Sequence, residues 1–207
     1  RGKLRIGAPI MFVRTILSPV LGEFLNAYPD LRVQLDFTGA ESALRDRAVD
    51  VLICPGPLED SGLLIKPIMS IRLGIYASPT YLKGRELPAS PSEMRSLRLR
   101  CITATCSRGE TTMWPVRRGS EVAEIAIHPH VSVPDPLIIK QLTLSGAGSS
   151  MLSQHLARPH VANGELVRLI PDWEPDAVAL HALYSSRLSA SPRVRAFLQF
   201  LRERCSG

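Results

Sequence analysis

The order of elements in the first 54 residues limits the fold more than any other feature of this sequence. An apolar strand at 4–8 leads into a helical apolar stripe at 16–25, an alternating strand at 32–37, a short helix at 42–48 and a strand at 51–54. Strands that are joined through helices in this way lie parallel, and their crossovers are right-handed. This part of the chain therefore predicts a parallel α/β sheet.

Proline marks the predicted helix starts. Ser18-Pro19 indicates an N-cap followed by proline at the first helical position, or else a kink within a helix. Ser90-Pro91-Ser92-Glu93 is a capping box with proline at the first helical position. Asp135-Pro136 begins a predicted helix that ends near Gly146, and Ser191-Pro192 begins the last helix.

A second α/β unit follows the first. A strand at 100–103 and a hairpin around 117–120 precede a further strand at 131–133. After the helix that starts at Asp135-Pro136, a short strand runs from 149 to 152. The same layering of helices on strands is therefore expected twice.

The chain crosses between the two units near 71–77 and again near 172–177. We therefore predict one subdomain formed by 1–71 and 178–207 and a second formed by 72–177. Two lobes joined by two strands enclose a cleft, and open α/β sheets bind ligands at the carboxyl ends of their strands and at helix N-termini. The sequence thus predicts a small-molecule binding cleft between the lobes.

The net charge of the chain is +6, and the excess is almost all arginine. The densest group comprises Arg95, Arg98, Arg100, Arg108, Arg117 and Arg118. A basic surface suits acidic ligands or a nucleic acid. The sequence contains neither a lysine- and arginine-rich run nor the aromatic RNA-binding motif. We therefore favour a solvated basic surface, and a direct nucleic-acid interface stays the alternative.

No enzymatic constellation can be assembled from the sequence. It has no G-x-S-x-G nucleophile elbow, and no nucleophile, base and orienting group can be named together. Gly146-Ala147-Gly148 lacks the third glycine of a dinucleotide loop and follows a helix instead of a strand. His128-Pro129-His130 has no cysteine or carboxylate at zinc spacing. We therefore expect no catalysis, no cofactor and no metal ion.

The cysteines Cys54, Cys101, Cys106 and Cys205 are spaced irregularly. A disulfide framework is not expected at this length without an export signal, and the N-terminal residues enter a strand pattern directly. No apolar run approaches the roughly 20 residues that cross a bilayer. We expect a reduced, cytoplasmic protein, and a thiol-based redox sensor using Cys101 and Cys106 stays an alternative.

Several short segments, taken in order, cover nearly the whole chain and carry a family pattern together. The first are Leu4-Arg5-Ile6-Gly7-Ala8-Pro9, Leu17-x-Pro19-x-Leu21-x-x-Phe24 and Tyr28-Pro29-Asp30-Leu31-Arg32-Val33. Later ones are Val49-Asp50-Val51-Leu52-Ile53, Ala77-Ser78-Pro79-Thr80-Tyr81-Leu82, Gly164-Glu165-Leu166-Val167 and Val194-Arg195-Ala196-Phe197-Leu198. The ordered set resembles the effector-binding domain of LysR-type transcriptional regulators.

This resemblance implies an α/β fold of two Rossmann-like subdomains joined by two crossover strands, like a periplasmic binding protein. It implies a sensor of a small-molecule effector, with a carboxylate or other anion favoured, that self-associates as a dimer or tetramer. The family carries an N-terminal helix-turn-helix, and this chain starts where the following linker would end. We therefore expect operator DNA to be bound only through that domain. A solute-binding protein of a transport system shares the two-lobed plan and stays the alternative.

The resemblance also implies positions for the effector-binding loops. They fall on Ile10, Met11, Phe12, Thr38, Gly39, Thr103, Ala104, Thr105, Pro134, Asp135, Ser149, Ser150 and Met151. Two departures from the family pattern are visible. The first loop is Ile-Met-Phe, where relatives often carry a small hydroxyl residue. Cys101 is preceded by Arg98-Leu99-Arg100, without the histidine that is common nearby.

Overall fold

The computed structural model describes residues 2–37, 42–56, 62–104 and 112–205. The chain divides into two compact units. The first unit combines Arg1–Ser70 with Val178–Gly207, and the second is Ile71–Ala177. Each unit contains a β-sheet with helices packed against it, which is the α/β class that the sequence predicts.

The elements are numbered in chain order over the described residues. The strands are β1 (Gly2–Gly7), β2 (Leu31–Asp36), β3 (Val51–Pro55), β4 (Leu64–Ile71), β5 (Leu73–Ala77), β6 (Cys101–Thr103), β7 (Thr112–Arg118), β8 (Glu121–Ile127), β9 (Pro129–Ser132), β10 (Ser149–Ser153), β11 (Val167–Leu169), β12 (Glu174–Pro175) and β13 (Val178–Tyr184). The helices are α1 (Ile10–Ala27), α2 (Ser42–Arg45), α3 (Pro79–Leu82), α4 (Pro91–Ser96), α5 (Pro136–Leu144), α6 (Gln154–Ala162) and α7 (Pro192–Cys205), with a short 3-10 turn at Ser186–Leu188.

The first unit is built on a sheet of strand order β2-β1-β3-β13-β4. β1 pairs in parallel with both β2 and β3, as the alternation of strands and helices predicts. β13 returns from the second unit and pairs antiparallel with β3, with Ala182 opposite Ile53. Because β1, β2 and β3 are parallel, their carboxyl ends lie at one edge of the sheet.

The helix that follows β1 begins earlier than the sequence predicts. The predicted start at Ser18-Pro19 is wrong, because α1 already begins at Ile10 and runs on to Ala27. Pro19 has no N–H to donate to the carbonyl four residues back. The chain adopts a π-helical turn at Val13–Leu17 just before it, in which the Ser18 N–H donates to the Val13 carbonyl. The dipeptide thus lies inside a helix, as the alternative of a kink supposes, and the irregular feature beside it is this π turn.

Helix α1 packs against the first unit through one apolar face. Leu17 and Phe24 are fully buried, and the Phe24 ring centroid lies 5.6 Å from that of Phe197 on α7. By length and composition α1 is the one described helix that could cross a membrane. It also carries the exposed charged residues Arg14 and Glu23, and Glu23 pairs with Arg204 on α7. These contacts make it a core helix of this unit.

The second unit contains two sheets over its described residues. The larger has the order β11-β5-β10-β6-β9, and the smaller is the antiparallel set β12-β7-β8. β10, β6 and β9 run parallel to one another, whereas β5 is antiparallel to β10 and β11. The β7–β8 hairpin turns at Gly119, whose φ is +59°, as the sequence predicts.

Side-chain caps fix the helix starts of the second unit. The Ser78 hydroxyl accepts the Tyr81 N–H, and the Ser90 hydroxyl accepts the Glu93 N–H, both at 3.3 Å. The Glu93 carboxylate accepts the Ala89 N–H at 2.8 Å, one residue before the Ser90 N–H that the predicted capping box would use. Helix α6 was not predicted; it begins with a Ser153 cap and contains Pro159 in its interior.

Ion pairs fasten the second crossover segment to the second unit. The carboxylate of Glu174 lies 2.6 Å from the Arg72 guanidinium, which is at the start of that unit. The Asp176 carboxylate lies 2.8 Å from the Arg117 guanidinium on β7. Both pairs are exposed, so each contributes little to the free energy of folding by itself.

Candidate functional site

The first part of the predicted effector-binding set lies at the carboxyl end of β1. Pro9 ends the connection from β1, and the first turn of α1 holds Ile10, Met11 and Phe12. Ile10 and Met11 are half-buried, whereas the Phe12 side chain is 2% exposed and belongs to the core of the first unit. The accessible part of this loop is therefore its backbone and the first two side chains.

The start of α1 has no side-chain cap among the described residues. Pro9 offers no side-chain oxygen, and the first intrahelical bond runs from the Val13 N–H to the Pro9 carbonyl at 3.2 Å. The N–H groups at the first turn of a helix carry the positive end of the helix dipole. An uncapped start of this kind can bind an anionic group.

The second loop of the first unit, at Thr38 and Gly39, lies outside the described residues. The residue before it, Phe37, directly follows the carboxyl end of β2 and is 61% exposed. Since β2 is parallel to β1, Phe37 lies at the same end of the sheet as the start of α1.

In the second unit, the predicted positions lie at the end of β6 and at the start of β10. Thr103 ends β6 opposite Ser132 of β9, whereas Ser149 and Ser150 begin β10, with Ser150 opposite Ile102 of the parallel strand β6. Met151 follows on β10 and is half-buried, while Ala104 is exposed. Thr105 lies outside the described residues. The structure thus places Thr103 and Ala104 at the carboxyl end of β6, and Ser149 and Ser150 at the amino end of β10.

Ser149 and Ser150 are fully buried, and both hydroxyls have internal partners. The Ser149 hydroxyl donates to the Arg100 carbonyl at 3.1 Å, and its N–H donates to the same oxygen at 2.8 Å. The Ser150 hydroxyl lies 2.6 Å from that of Thr143 on α5, which donates to the Ile139 carbonyl. These hydroxyls tie β10 to β6 and α5.

Thr143 was not singled out from the sequence. It lies in the last turn of α5 and is fully buried. A threonine inside a helix often bonds the carbonyl four residues back, and this gives no hint of a partner elsewhere. Its contact with Ser150 follows only from the packing of α5 on β10.

Pro134 and Asp135 connect β9 to α5. The Asp135 carboxylate accepts the Leu137 N–H at 2.8 Å and the Ile138 N–H at 3.4 Å. This is the N-cap that the sequence predicts, and it occupies the donors that an anionic ligand would otherwise use at the start of α5. The two units therefore differ: the start of α1 is open, and the start of α5 is already taken by a carboxylate.

The thiol chemistry of Cys101 is unlike that of a redox sensor. Cys101 is 3% exposed, and its Sγ lies 3.3 Å from the Leu99 carbonyl. Burial raises the pKa of this thiol above its ordinary value of 9.0, and the hydrogen bond with Ser149 offsets this only in part. A sensor thiol needs a lowered pKa and access to solvent. Its proposed partner, Cys106, lies outside the described residues.

Open grooves lie elsewhere on each unit. One in the first unit runs between the segment Tyr28–Leu31 and the start of α7 at Ser191–Arg193. One in the second unit lies beside the ion pairs of the crossover segment, Arg72 with Glu174 and Arg117 with Asp176. Neither is lined by any of the predicted effector-binding residues.

The sequence was compared with protein families and with curated relatives. The family model described as the LysR substrate binding domain matches residues 1–206. The transcriptional regulator PtxR of Pseudomonas aeruginosa is 32% identical over 98% of this chain and 64% of its own length. The regulator CrgA of Neisseria meningitidis is 30% identical over 98% of this chain and 67% of its own length. The chain spans 59% to 67% of the lengths of these relatives and of a Xanthomonas campestris regulator.

Solved structures give the same result for the fold. The CrgA regulatory domain from Neisseria meningitidis superposes with a TM-score of 0.85 at 29% identity, covering 99% of both chains. Full-length AphB of Vibrio cholerae, at 20% identity, shares the fold with a TM-score of 0.82 over 99% of this chain and 68% of its own. The predicted fold class, two subdomains like those of a periplasmic binding protein, is confirmed by this likeness.

Proposed function

Since this chain belongs to the LysR substrate-binding domain family, we propose that it is the effector-sensing part of a bacterial transcriptional regulator. The relatives named above are helix-turn-helix regulators, and this chain covers about six-tenths of their length. The rest of such a protein would supply the DNA-binding domain. No step of the proposed function is catalytic.

The observation that carries the proposed ligand chemistry is the open start of α1. Its first N–H groups have no side-chain cap and follow the carboxyl end of β1. A small carboxylate, or another anion of similar size, would receive several hydrogen bonds there together with the positive end of the helix dipole. We therefore propose an anionic effector held by the backbone of Ile10, Met11 and Phe12.

The other predicted positions would serve the same effector in two ways. Residues that reach the surface of their own unit, Ala104, Pro134 and Met151, would contact it directly, together with Thr38, Gly39 and Thr105. The buried or bonded groups of Thr103, Asp135, Ser149 and Ser150 would hold those loops in place. The proposal thus retains every predicted position and assigns the buried ones a supporting part.

The regulatory step in this proposal is a shift in population. An effector that contacts both subdomains binds one arrangement of them more tightly, and it can move the equilibrium only by that difference in affinity. In a dimer or tetramer this change would reposition the DNA-binding domains. A protein of this kind acts in the cytoplasm, where its operator is.

A thermal-shift screen of the purified chain tests the ligand class. The library contains small carboxylates, aromatic acids, amino acids and matched neutral amides of the same compounds. A ligand at 100 times its dissociation constant adds about 2.7 kcal/mol of stability, which is about 5 to 10 °C in a domain of this size. We expect carboxylates to raise the midpoint and their amides not to. Hits confined to the amides would contradict the anionic effector.

A matched pair of variants then locates the site. Pro9→Asp places a carboxylate where it can cap α1, and Pro9→Asn places a neutral cap of the same size there. We expect Pro9→Asp to lower the affinity for the carboxylate found in the screen more than Pro9→Asn, because its charge occupies the same N–H groups. Unchanged affinity in both variants would mean that the effector binds away from the start of α1.

A further inference from the structure

The second unit carries a basic surface that its own carboxylates do not neutralise. Over residues 83–100 five cations stand against two carboxylates, which gives a net charge of +3 in a chain of net charge +6. The cations are Lys83, Arg85, Arg95, Arg98 and Arg100, and all are exposed. Among the described residues, none of them forms a salt bridge, whereas Arg72, Arg117, Arg118 and Arg168 of the same unit all do. We call these five residues the basic surface.

Two of these cations contact the same aromatic ring. The guanidinium carbons of Arg85 and Arg100 lie 4.7 Å and 5.2 Å from the ring centroid of Tyr81, which is 5% exposed. The two carbons are therefore at most 9.9 Å apart, the sum of these distances. Cation–π contact holds both side chains against a fixed platform, although their charges repel each other.

Backbone contacts fix the platform. The Arg100 N–H donates to the Tyr81 hydroxyl at 2.7 Å, and the Arg85 Nε donates to the Tyr81 carbonyl at 3.0 Å. The Arg100 guanidinium also reaches the Gly146 carbonyl at 3.4 Å, just beyond the C-terminal end of α5. The paired guanidinium groups are thus ordered before any partner binds, which lowers the entropic cost of binding.

Arg95 and Arg98 extend the basic surface from the end of α4. The Arg98 N–H donates to the Arg95 carbonyl at 3.3 Å, and Arg98 adopts a φ of +46° in this tight turn. A non-glycine residue in the left-handed region is uncommon and carries strain. This turn connects the end of α4 to Arg100. Arg95, Arg98 and Arg100 therefore lie within six consecutive residues of the sequence.

We propose that the basic surface binds the phosphate backbone of duplex DNA, independently of base sequence. Four of its five cations are arginines, whose planar fork matches a phosphate. Duplex DNA presents one negative charge per about 1.7 Å of its axis, so several phosphates face a span of 10 Å. The three grooves described for the chain, beside Tyr28–Leu31, beside Arg72 and Glu174, and beside Gly2 and Arg32, involve none of these residues.

This inference rests on the proposed function in one respect only, namely that the whole regulator would bring this chain close to duplex DNA. A regulator bound at its operator would hold this surface near the flanking duplex, where the local concentration of phosphate is high. The contact would add to the operator contacts that the resemblance assigns to the helix-turn-helix. It does not depend on which effector binds, because the basic surface shares no residue with the proposed effector site.

The test measures binding of the purified chain to a fluorescein-labelled 30-base-pair duplex of arbitrary sequence by anisotropy. Salt is varied from 50 to 200 mM. Two double variants remove charge from the basic surface, Arg85→Gln with Arg100→Gln and Arg95→Gln with Arg98→Gln. The control, Arg195→Gln with Arg202→Gln, removes the same charge from exposed positions of α7 in the first unit.

We expect weak, salt-sensitive binding of the unaltered chain. Each double variant of the basic surface should reduce the slope of log K against log salt by about 1.8, because each phosphate contact contributes about 0.9. The control should change the slope by less than half of that amount. The Arg95 and Arg98 variant keeps the test valid if loss of Arg85 and Arg100 disturbs the fold, since the latter pair also contacts Tyr81.

Four results would overturn the proposal. They are no binding at 50 mM salt, an equal loss in the control variant, equal or tighter binding of poly-glutamate at matched charge, and displacement of the duplex by 10 mM inorganic phosphate at constant ionic strength. The third result would identify an acidic polypeptide as the partner, and the fourth a small-anion site. None of these outcomes bears on whether carboxylates stabilise the chain in the thermal-shift screen.

Discussion

The two units bury polar side chains in different ways. In the described part of the first unit, the one polar residue that is almost fully buried is Asp50, which accepts the Arg5 N–H at 2.9 Å and the Arg5 guanidinium at 3.3 Å. The second unit buries the hydroxyl residues Ser78, Thr103, Thr143, Ser149 and Ser150. Among these nearly fully buried polar residues, the first unit therefore has one carboxylate in an ion pair, and the second unit has a set of hydroxyl groups.

The helix starts at the predicted effector loops also differ between the two units. The start of α5 is capped by Asp135, whereas α1 begins without a side-chain cap. In the second unit these polar groups thus form hydrogen bonds with each other and with nearby backbone groups, which hold β10 and α5 in place. In the first unit, no side chain among the described residues caps the first N–H groups of α1. In the proposed function, the first unit is therefore the better source of polar contacts for an anionic ligand.

The largest expected effect is loss of the buried ion pair of the first unit. Asp50→Ala removes charge-assisted hydrogen bonds and leaves the Arg5 N–H without its acceptor, which we expect to cost about 2 to 3 kcal/mol. Urea unfolding measures this difference. Asp36→Ala removes an exposed carboxylate from β2 of the same unit and should change stability by about 0.5 kcal/mol or less. Similar costs for both variants would contradict the fastening role of Asp50.

A double-mutant cycle in the second unit comes next. Thr143→Val leaves the Ser150 hydroxyl buried without its partner, which we expect to cost about 1 to 2 kcal/mol. Ser150→Ala should cost a similar amount, and the double variant should cost clearly less than the sum of the two, because neither unpaired group remains. Additive costs would show that the 2.6 Å contact between the hydroxyls contributes no coupling.

Removal of the α5 cap should have a smaller effect. Asp135→Ala leaves the N–H groups of Leu137 and Ile138 without the carboxylate, at an expected cost of about 1 kcal/mol. Asp135→Asn retains a capping oxygen and loses only the charge at the positive end of the dipole, about 0.3 to 1 kcal/mol. Thermal unfolding of the two variants separates these contributions. A larger loss in the asparagine variant would contradict capping as the role of Asp135.

The pH dependence should give the smallest effect. Burial raises the pKa of the thiols of Cys101 and Cys205, and also that of the Tyr76 hydroxyl, above their ordinary values. Each is neutral when protonated, so its contribution to stability is fully present below the unfolded pKa, 9.0 for the thiols. That contribution is lost as the pH rises through the folded pKa. Stability should therefore fall above about pH 9.

Cys101→Ala and Cys205→Ala divide this alkaline effect between the units. Each variant loses packing at every pH, but the decline in stability above pH 9 should become shallower in both. Chemical unfolding at pH 7.5 and pH 10 gives the decrease in the free energy of unfolding between these two pH values for each variant and for the unaltered chain. A decline that stays as steep in Cys101→Ala as in the unaltered chain would show that this thiol does not contribute to it.

Local sequence signals predicted much of the fold. The strands β2 and β3 and the starts of α4, α5 and α7 follow from apolar patterns and from capping residues that act within a few positions. The start of α1 was wrong because Ser18-Pro19 has the same sequence as an N-cap with proline at the first helical position. A π turn upstream of the proline leaves no clear mark in the residue types.

The candidate site was less predictable, because burial is decided by packing between distant segments. Nothing in the sequence distinguishes Ser150, which bonds Thr143 inside the second unit, from a serine that faces a ligand. Helix α6 was missed since Pro159 interrupts its pattern. The open start of α1 could be located only after the helix was known to begin at Ile10. The role of Asp135 as an N-cap, in contrast, was predicted from the sequence.

The π turn at Val13–Leu17 has a consequence for how relatives of this chain can diverge. A π turn contains one residue more than an α turn. It therefore accommodates a one-residue insertion while the rest of the helix keeps its α geometry. Deleting one residue there would restore regular α geometry and rotate Ile10–Phe12 by about 100° around the helix axis. Phe12 would leave the core and another side chain would take its place. One codon gained or lost at this turn can therefore turn the proposed effector-binding residues Ile10 and Met11 to another direction while the sheet and its register stay as they are.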